Sequence, residues 1–373
     1  MAENVLAAVK IGAGKTELRE VPMPDIPSDA GLLKVEAAGI CGSDVGAYPR
    51  EDRGPTIMGH ENVGVIAKIG ATASRLWGVK EGDRVAIEEY LPCWHCEWCH
   101  LGEYRLCKTA DHFFDPNNLR FGSTPMEVAP ALWGGFSQYL YLPPTTVIHQ
   151  VPKGPPLEQL AMALPMGNGV QWACVEGEAG PGKSVLIMGP GQQGLACLVA
   201  ARAAGAYKVF MTGLSRDGYR LDIATKLGAD AVIDVEKEDL RQRISDLTDG
   251  RGLDSVVDTT SSRGAQVVFD AIDILKHKGG VMVVQGIPTV PDFPMGKMTR
   301  KYITLKSARG HSYKSVEIGL QYIASGRFPL NLLTTDRFGL DAVDRAIRST
   351  GGEVSSTSIH VTVDPWQPVG TTG

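Results

Sequence analysis

The chain has no apolar run of about 18 residues or more, which excludes a membrane-spanning helix as read from sequence. It also lacks a positive charge balance. Its 37 Lys and Arg residues face 42 Asp and Glu, for a net charge of −5. A basic surface that would hold nucleic acid is therefore not expected. The first residues, Met1 to Glu17, bring acidic side chains early and no long apolar stretch, so they do not read as a secretory signal. A cytoplasmic, reducing setting is the expectation. No internal repeat and no low-complexity segment interrupts the chain. Cysteine is scarce, with seven in 373 residues, and four of the seven fall between 93 and 107. What remains is ordinary globular composition, 43% hydrophobic and 21% charged, over a length that accommodates two domains with full cores.

The cysteine-rich stretch reads Cys93-Trp-His-Cys96-Glu-Trp-Cys99, with Cys107 closing it. Three cysteines so close together make a poor disulfide framework, and a reducing setting keeps them as thiolates. Four thiolates form a closed tetrahedral site that suits a structural Zn²⁺ and leaves no open position for chemistry. An iron–sulfur cluster is the competing occupant of four cysteines.

Period-two alternation predicts strands at Leu32–Ala37, Asn62–Ile69 and after the turn at Gly82-Asp83. Gly64, inside the second of these, predicts close packing. From residue 184 short apolar strands alternate with helices: Ser184–Met188, a helix from Leu195, Lys208–Thr212, a helix from Tyr219, and further strands at 231, 255 and 280. That alternation predicts an α/β domain with a doubly wound parallel sheet covered on both faces. A helix over Ser315–Ser325 and an edge strand over Ser358–Val363 are expected later, with a loosely ordered tail after Pro365.

Gly189-Pro-Gly191-Gln192-Gln193-Gly194 follows the first apolar strand and opens a helix. In that context the glycines make a dinucleotide fingerprint. Gly189 turns, Gly191 lets backbone approach a pyrophosphate, and Gly194 lets helix meet strand, with the helix N-terminus on the phosphates. The second strand of such a site ends in an acid where the ribose 2′-hydroxyl is bound. Here that position is Gly213, followed by Ser215 and Arg216. A glycine removes the charge that would repel a 2′-phosphate, Ser215 can donate to it and Arg216 can neutralise it. The turn favours NADP. NAD is the alternative, should Asp217 fold back onto the 2′-hydroxyl.

Before the cysteine cluster lie Gly39-Ile-Cys41-Gly-Ser43-Asp44 and Gly59-His60-Glu61. Cysteine and histidine on neighbouring loops can share an active-site zinc, with Asp44 orienting His60. In this order, with Gly82-Asp83-Arg84-Val85, the four cysteines and the fingerprint, nearly the whole chain resembles the zinc-containing medium-chain dehydrogenases, the family of alcohol, sorbitol and threonine dehydrogenases. The resemblance implies a GroES-like catalytic domain from residues 1–160 and 306–373, carrying the zinc lobe at 93–107, and a Rossmann dinucleotide-binding domain over 161–305. It implies a homodimer or homotetramer that moves hydride between NAD(P) and a small-molecule alcohol or carbonyl substrate, with no nucleic-acid or membrane partner. Carried over by position, Cys41 and His60 match catalytic zinc ligands, and Glu61 matches an acid that can also bind the metal. Ser43 matches the hydroxyl that passes the substrate proton on. Cys93, Cys96, Cys99 and Cys107 match the structural zinc site.

Two positions depart from the family. Its third zinc ligand falls on Leu164, which cannot ligate, and Cys174 is too late in the chain to replace it. A relay histidine found in some members is Gly46 here. Zinc on Cys41, His60 and Glu61 would still leave an open position. Tyr48, Leu91, Trp94, Trp133 and Asn168 are pocket neighbours by family position. The rival readings are a reductase of the same fold without catalytic zinc, acting on a C=C or iminium carbon, and a dinucleotide-binding protein that does no chemistry.

Overall fold

A computed structural model describes residues 4–51, 54–261, 264–286 and 289–370. Contacts divide the chain into two units, Met1–Leu164 with Thr334–Gly373, and Pro165–Leu333. The return to the first unit thus lies at 333/334 and not at 305/306. The first unit opens with strands β1 (Asn4–Gly12), β2 (Lys15–Pro22), β3 (Gly31–Gly39), β4 (Thr56–Ile57), β5 (Glu61–Ile69), β6 (Arg84–Ile87), β7 (Tyr139–Leu142) and β8 (Ile148–Gln150). On β3, Leu32, Leu33 and Val35 are buried, and together with Val63 and Ile66 on β5 and Val85 and Ile87 on β6 they are fully or nearly shielded from solvent. Gly64 is where the two main strands nearly touch: a Cβ there would sit 2.1 Å from the Lys34 carbonyl oxygen. The glycine is a packing requirement, as its place in the strand suggested.

The second unit holds, among its described residues, a six-stranded parallel sheet. Its strands are β9 (Ser184–Met188), β10 (Lys208–Gly213), β11 (Ala231–Asp234), β12 (Ser255–Asp258), β13 (Val281–Val284) and β14 (Thr304–Ser307). The order β11-β10-β9-β12-β13-β14 reverses direction at β9, as in a doubly wound fold. Leu186, Phe210, Ile233, Val256 and Met282, one from each of five strands, join helix residues such as Ile244 and Ile272 in a single core. β14 pairs with β13 from Val281↔Thr304 to Val284↔Ser307. That pairing keeps residues 306–333 with this unit, including the helix Tyr313–Ala324. The α-helix Ala163–Gly169 continues directly as a π-helix over Val170–Glu176.

The chain then returns to the first unit with β15 (Thr334–Phe338) and β16 (His360–Val363). The first unit's larger sheet runs β15-β16-β3-β5-β6-β8, with β7 also on β3. β16, expected at an edge, is therefore interior, bonded to β15 on one side and to β3 on the other. The segment after Pro365, expected to be loose, is tied down at Trp366 and again at Gly370, whose N–H donates to Asp341 at 2.6 Å. The Trp366 indole N–H donates to the Val35 carbonyl at 2.7 Å, and its ring packs edge-on against Tyr139. Among the described residues no helix is long and apolar enough to cross a membrane.

Candidate metal centres and dinucleotide site

The short helix Gly42–Ala47 begins immediately after Cys41, and one carboxylate organises its start. Asp44 accepts the Cys41 backbone N–H at 2.9 Å through Oδ2, satisfying a donor that the first turn leaves open. Its Oδ1 lies 3.4 Å from His60 Nδ1. His60 itself follows Gly59, whose φ of +89° and whose contact with Phe136 both require glycine. With Nδ1 turned to Asp44, Nε2 faces the interior of the site. Ser43 Oγ is 3.4 Å from that nitrogen. Cys41, His60 and Glu61 present sulfur, nitrogen and oxygen donor atoms that all lie within 4.8 Å of one another.

This donor set fits zinc. Three protein ligands of mixed S, N and O character are the composition of an open, catalytic zinc site, and the mutual distances are compatible with one shared ion. Burial pushes the Cys41 thiol up, and the nearby charge of Glu61 adds to it. Burial opposes protonation of His60, yet the carboxylates of Asp44 and Glu89 outweigh it and hold the imidazole well above its usual range. Leu164 is buried in the helix Ala163–Gly169 and offers no donor atom.

Two charged residues beside this site were not singled out from sequence. Glu89 Oε2 lies 3.6 Å from His60 Nε2 and pairs with the guanidinium of Arg120. Arg120 also contacts His112 Nδ1 at 2.5 Å and lies over the ring of Tyr90. An isolated bridge between Tyr90 and Arg120 brings these stretches together. Only the pair Glu88-Glu89 ahead of Cys93 hinted at it, and local spacing does not tell which glutamate turns inward. The other one, Glu88, pairs with His149 in the sheet, and both are fully buried.

The cysteine lobe is a second, distinct centre. The four sulfur atoms lie within 4.8 Å of one another, with Cys96–Cys99 at 3.5 Å and Cys93–Cys99 at 3.9 Å. These are not disulfides. Thiolates about 2.3 Å from a common zinc in tetrahedral geometry stand ~3.8 Å apart, so one ion fits and a multi-iron cluster does not. Burial raises the Cys107 thiol, but hydrogen bonds from Thr109 and the Cys93 backbone draw it down to about 6. Burial and bonds to its neighbouring thiols push Cys99 far up instead.

In the second unit, Gly189 adopts φ +98° and Gly191 stands at the N-cap of the helix Gln192–Ala203. The helix starts three residues earlier than the sequence pattern indicated, so Gln192 and Gln193 belong to its first turn. Gly191 has no neighbour within 4 Å where a Cβ would be, leaving its backbone open to a ligand. At Gly194 a Cβ would lie 1.9 Å from the Gly189 carbonyl oxygen. The Gln193 amide is buried with no hydrogen-bond partner. An open backbone at a helix N-terminus, beside an unused buried amide, fits a pyrophosphate.

The turn after β10 is arranged differently from the expectation. Ser215 Oγ donates to Asp234, at 2.8 Å to one oxygen and 3.1 Å to the other. The Ser215 N–H donates to Glu236 at 2.8 Å, and Asp217 accepts the Leu214 N–H at 3.0 Å. Lys237 pairs with Asp234. Gly213 has a steric reason to be glycine, since a Cβ would meet Pro190 at 3.0 Å and Leu221 at 3.1 Å.

The family-position pocket neighbours make packing or structural contacts. Tyr48 donates to Asp344 at 2.7 Å, Trp133 to the Val128 carbonyl and Trp94 to the Thr145 carbonyl, while Leu91 is core. Asn168 meets His311 in the second unit at 2.9 Å. Cys174 sits in the π-helical segment, its thiol pushed up to about 12 by burial.

Residues 27–153 match the model of the alcohol dehydrogenase GroES-like domain, and residues 194–325 that of the zinc-binding dehydrogenase. The chain is 34% identical over 346 residues to the "Probable alcohol dehydrogenase" of Mycobacterium tuberculosis, covering 90% of this chain and 91% of that protein. It is 30% identical over 359 residues to the sorbitol dehydrogenase of Bacillus subtilis, covering 93% and 94%. Among solved structures, an alcohol dehydrogenase from Thermotoga maritima superposes with a TM-score of 0.84 at 26% identity, over 97% of this chain and all of that one.

Proposed function

The chain belongs to the zinc-containing medium-chain dehydrogenases, oxidoreductases that move hydride between a nicotinamide dinucleotide and an alcohol or carbonyl compound, and from that premise we propose that Cys41, His60 and Glu61 hold its catalytic zinc. The observation that carries the proposal is the convergence of three different donor atoms within 4.8 Å. When bound, zinc polarises the substrate oxygen as a Lewis acid, and the nicotinamide carries the hydride. The chain's own residues do the rest. Asp44 fixes the His60 ring so that Nε2 faces the other donors. Ser43 takes the proton of the substrate hydroxyl at Oγ, and the proton leaves through the cofactor ribose or water, because Gly46 offers no imidazole. In the second unit Gly189, Gly191, Gln192, Gln193 and Gly194 bind the pyrophosphate. Cys93, Cys96, Cys99 and Cys107 hold a second zinc with no open position.

For the cofactor, the reading moves to NAD. With Ser215 donating to Asp234, and Asp217, Asp234 and Glu236 gathered at the turn, a 2′-phosphate meets carboxylates, and of the cations beside it Lys237 is already paired with Asp234 and Arg220 lies next to Asp217. The packing around Gly213 also accounts for the glycine without reference to a phosphate. A cytoplasmic setting goes with four reduced thiolates. A homodimer or homotetramer goes with the exposed Trp98, Leu101, Phe113 and Phe114 on and after the lobe.

The test is a panel of alcohols and ketones with both dinucleotides on protein of known zinc content. Turnover is expected with NAD(H) in preference to NADP(H), and is expected to vanish in Cys41→Ala while dinucleotide binding persists. Full turnover in Cys41→Ala would transfer the reading to a reductase of this fold that works without catalytic zinc.

A further inference from the structure

β3 lies between β5 and β16, and the register puts Gly39 opposite Glu61 on one side and Thr362 on the other. His360 precedes Thr362 by two residues and so points to the same face of the sheet. With no side chain on Gly39, the side chains of Glu61 and His360 reach each other across the strand between them. Glu61 Oε2 and His360 Nε2 are 3.7 Å apart, and the two residues are 2% and 0% exposed. A Cβ on Gly39 would fall 2.6 Å from that oxygen and 2.8 Å from that nitrogen, so the glycine is what makes the approach possible.

Neither ring nitrogen of His360 makes a hydrogen bond. Buried polar groups are nearly always paired, and one that is not, aimed at a single carboxylate, needs a reason. The separation is slightly beyond hydrogen-bond length, so a small rotation of Glu61 closes it. A carboxylate has two oxygens. One can join Cys41 and His60 at a metal while the other stays against His360. Ligating carboxylates are regularly held by such outer partners, and losing the partner costs metal affinity without removing a ligand.

We propose that His360 is a positioning residue for the catalytic metal: its Nε2–H holds one oxygen of Glu61 so that the other faces Cys41 and His60. Asp44 does this for His60, and His360 does it for Glu61, from the far end of the chain. The inference rests on the reading of Glu61 as a metal-holding carboxylate.

The experiment is competition for zinc by a graded chelator, with cobalt substitution at the Cys41 site as an optical readout. In His360→Leu, affinity at the Cys41 site should fall by about 10- to 100-fold and the cobalt spectrum should shift, while zinc in the four-cysteine lobe is retained. His360→Gln, which keeps an N–H donor, should recover most of the affinity. His360→Asn, polar but too short to reach, should behave like the leucine variant and serves in its place if that one does not fold. Wild-type affinity in His360→Leu or His360→Asn overturns the proposal, as does an equal loss in His360→Gln. If Cys41→Ala binds as much zinc as the wild type, it is the reading of the metal site that fails, not the role of His360.

Discussion

Asp44 does two things with one side chain. Its Oδ2 caps the helix that begins after Cys41, and its Oδ1 orients the imidazole of His60. Asp44→Asn separates the two. The amide oxygen can still accept the Cys41 N–H, so the fold should stand, but the charge facing Nδ1 is gone. Zinc affinity at the Cys41 site is expected to fall by about 10- to 100-fold with little change in melting temperature, measured by chelator competition and thermal unfolding. A large loss of thermal stability with unchanged metal affinity would mean that Asp44 is a helix cap and nothing more. At this scale the sequence was legible wherever a residue's partner is near it in the chain. Cys41, Ser43 and Asp44 lie within one turn, and His60 and Glu61 are adjacent. Glu89 and Arg120 were not legible, because their meeting depends on a bridge between two loops. Ser215 was read as a donor to the cofactor, but the acceptor it meets, Asp234, stands at the end of a neighbouring strand.

The elements divide in the same way. The four-cysteine lobe and the fingerprint are continuous stretches whose spacing carries their geometry, with the four sulfurs within 4.8 Å of one another and Gly191 capping a helix. The helix of the fingerprint begins at Gln192 and not at Leu195, since two polar glutamines hide its first turn from a hydrophobic pattern. β15 was missed because Thr-Thr-Asp-Arg-Phe has no alternation. Its presence is what turns β16 from an edge strand into an interior one. Within the lobe, Cys107 supplies a pH prediction. Its folded-state value, about 6, lies below the ordinary thiol value of 9.0. The thiolate therefore contributes stability that is fully present above the ordinary value and is lost as pH falls through about 6. In metal-stripped protein, the melting-temperature gap between wild type and Cys107→Ser should be widest near pH 9 and close as pH approaches 6. A gap independent of pH would show that the Thr109 and Cys93 contacts do not favour the thiolate.

Across the whole molecule, the two kinds of site sit on two kinds of framework. The dinucleotide residues follow a strand of a parallel sheet whose order reverses at β9, and Cys41, His60 and Glu61 sit at the ends of β3 and β5 in a mixed sheet that β15 and β16 join from the other end of the chain. The second framework is why the approach of His360 to Glu61 could not be read from sequence: the two meet only after β16 is inserted beside β3. The loss of one family ligand leaves a sulfur, a nitrogen and an oxygen in place, with Asp44 and His360 behind two of them. The central claim is that this chain holds two separate zinc sites and that the Cys41 site is one of them. Zinc per chain, measured on wild type and Cys41→Ala by elemental analysis, tests it most directly. The account predicts two ions in the wild type, one for each donor cluster, and one in Cys41→Ala, with the lobe still loaded. A single ion in the wild type, or the same number in both proteins, would contradict it.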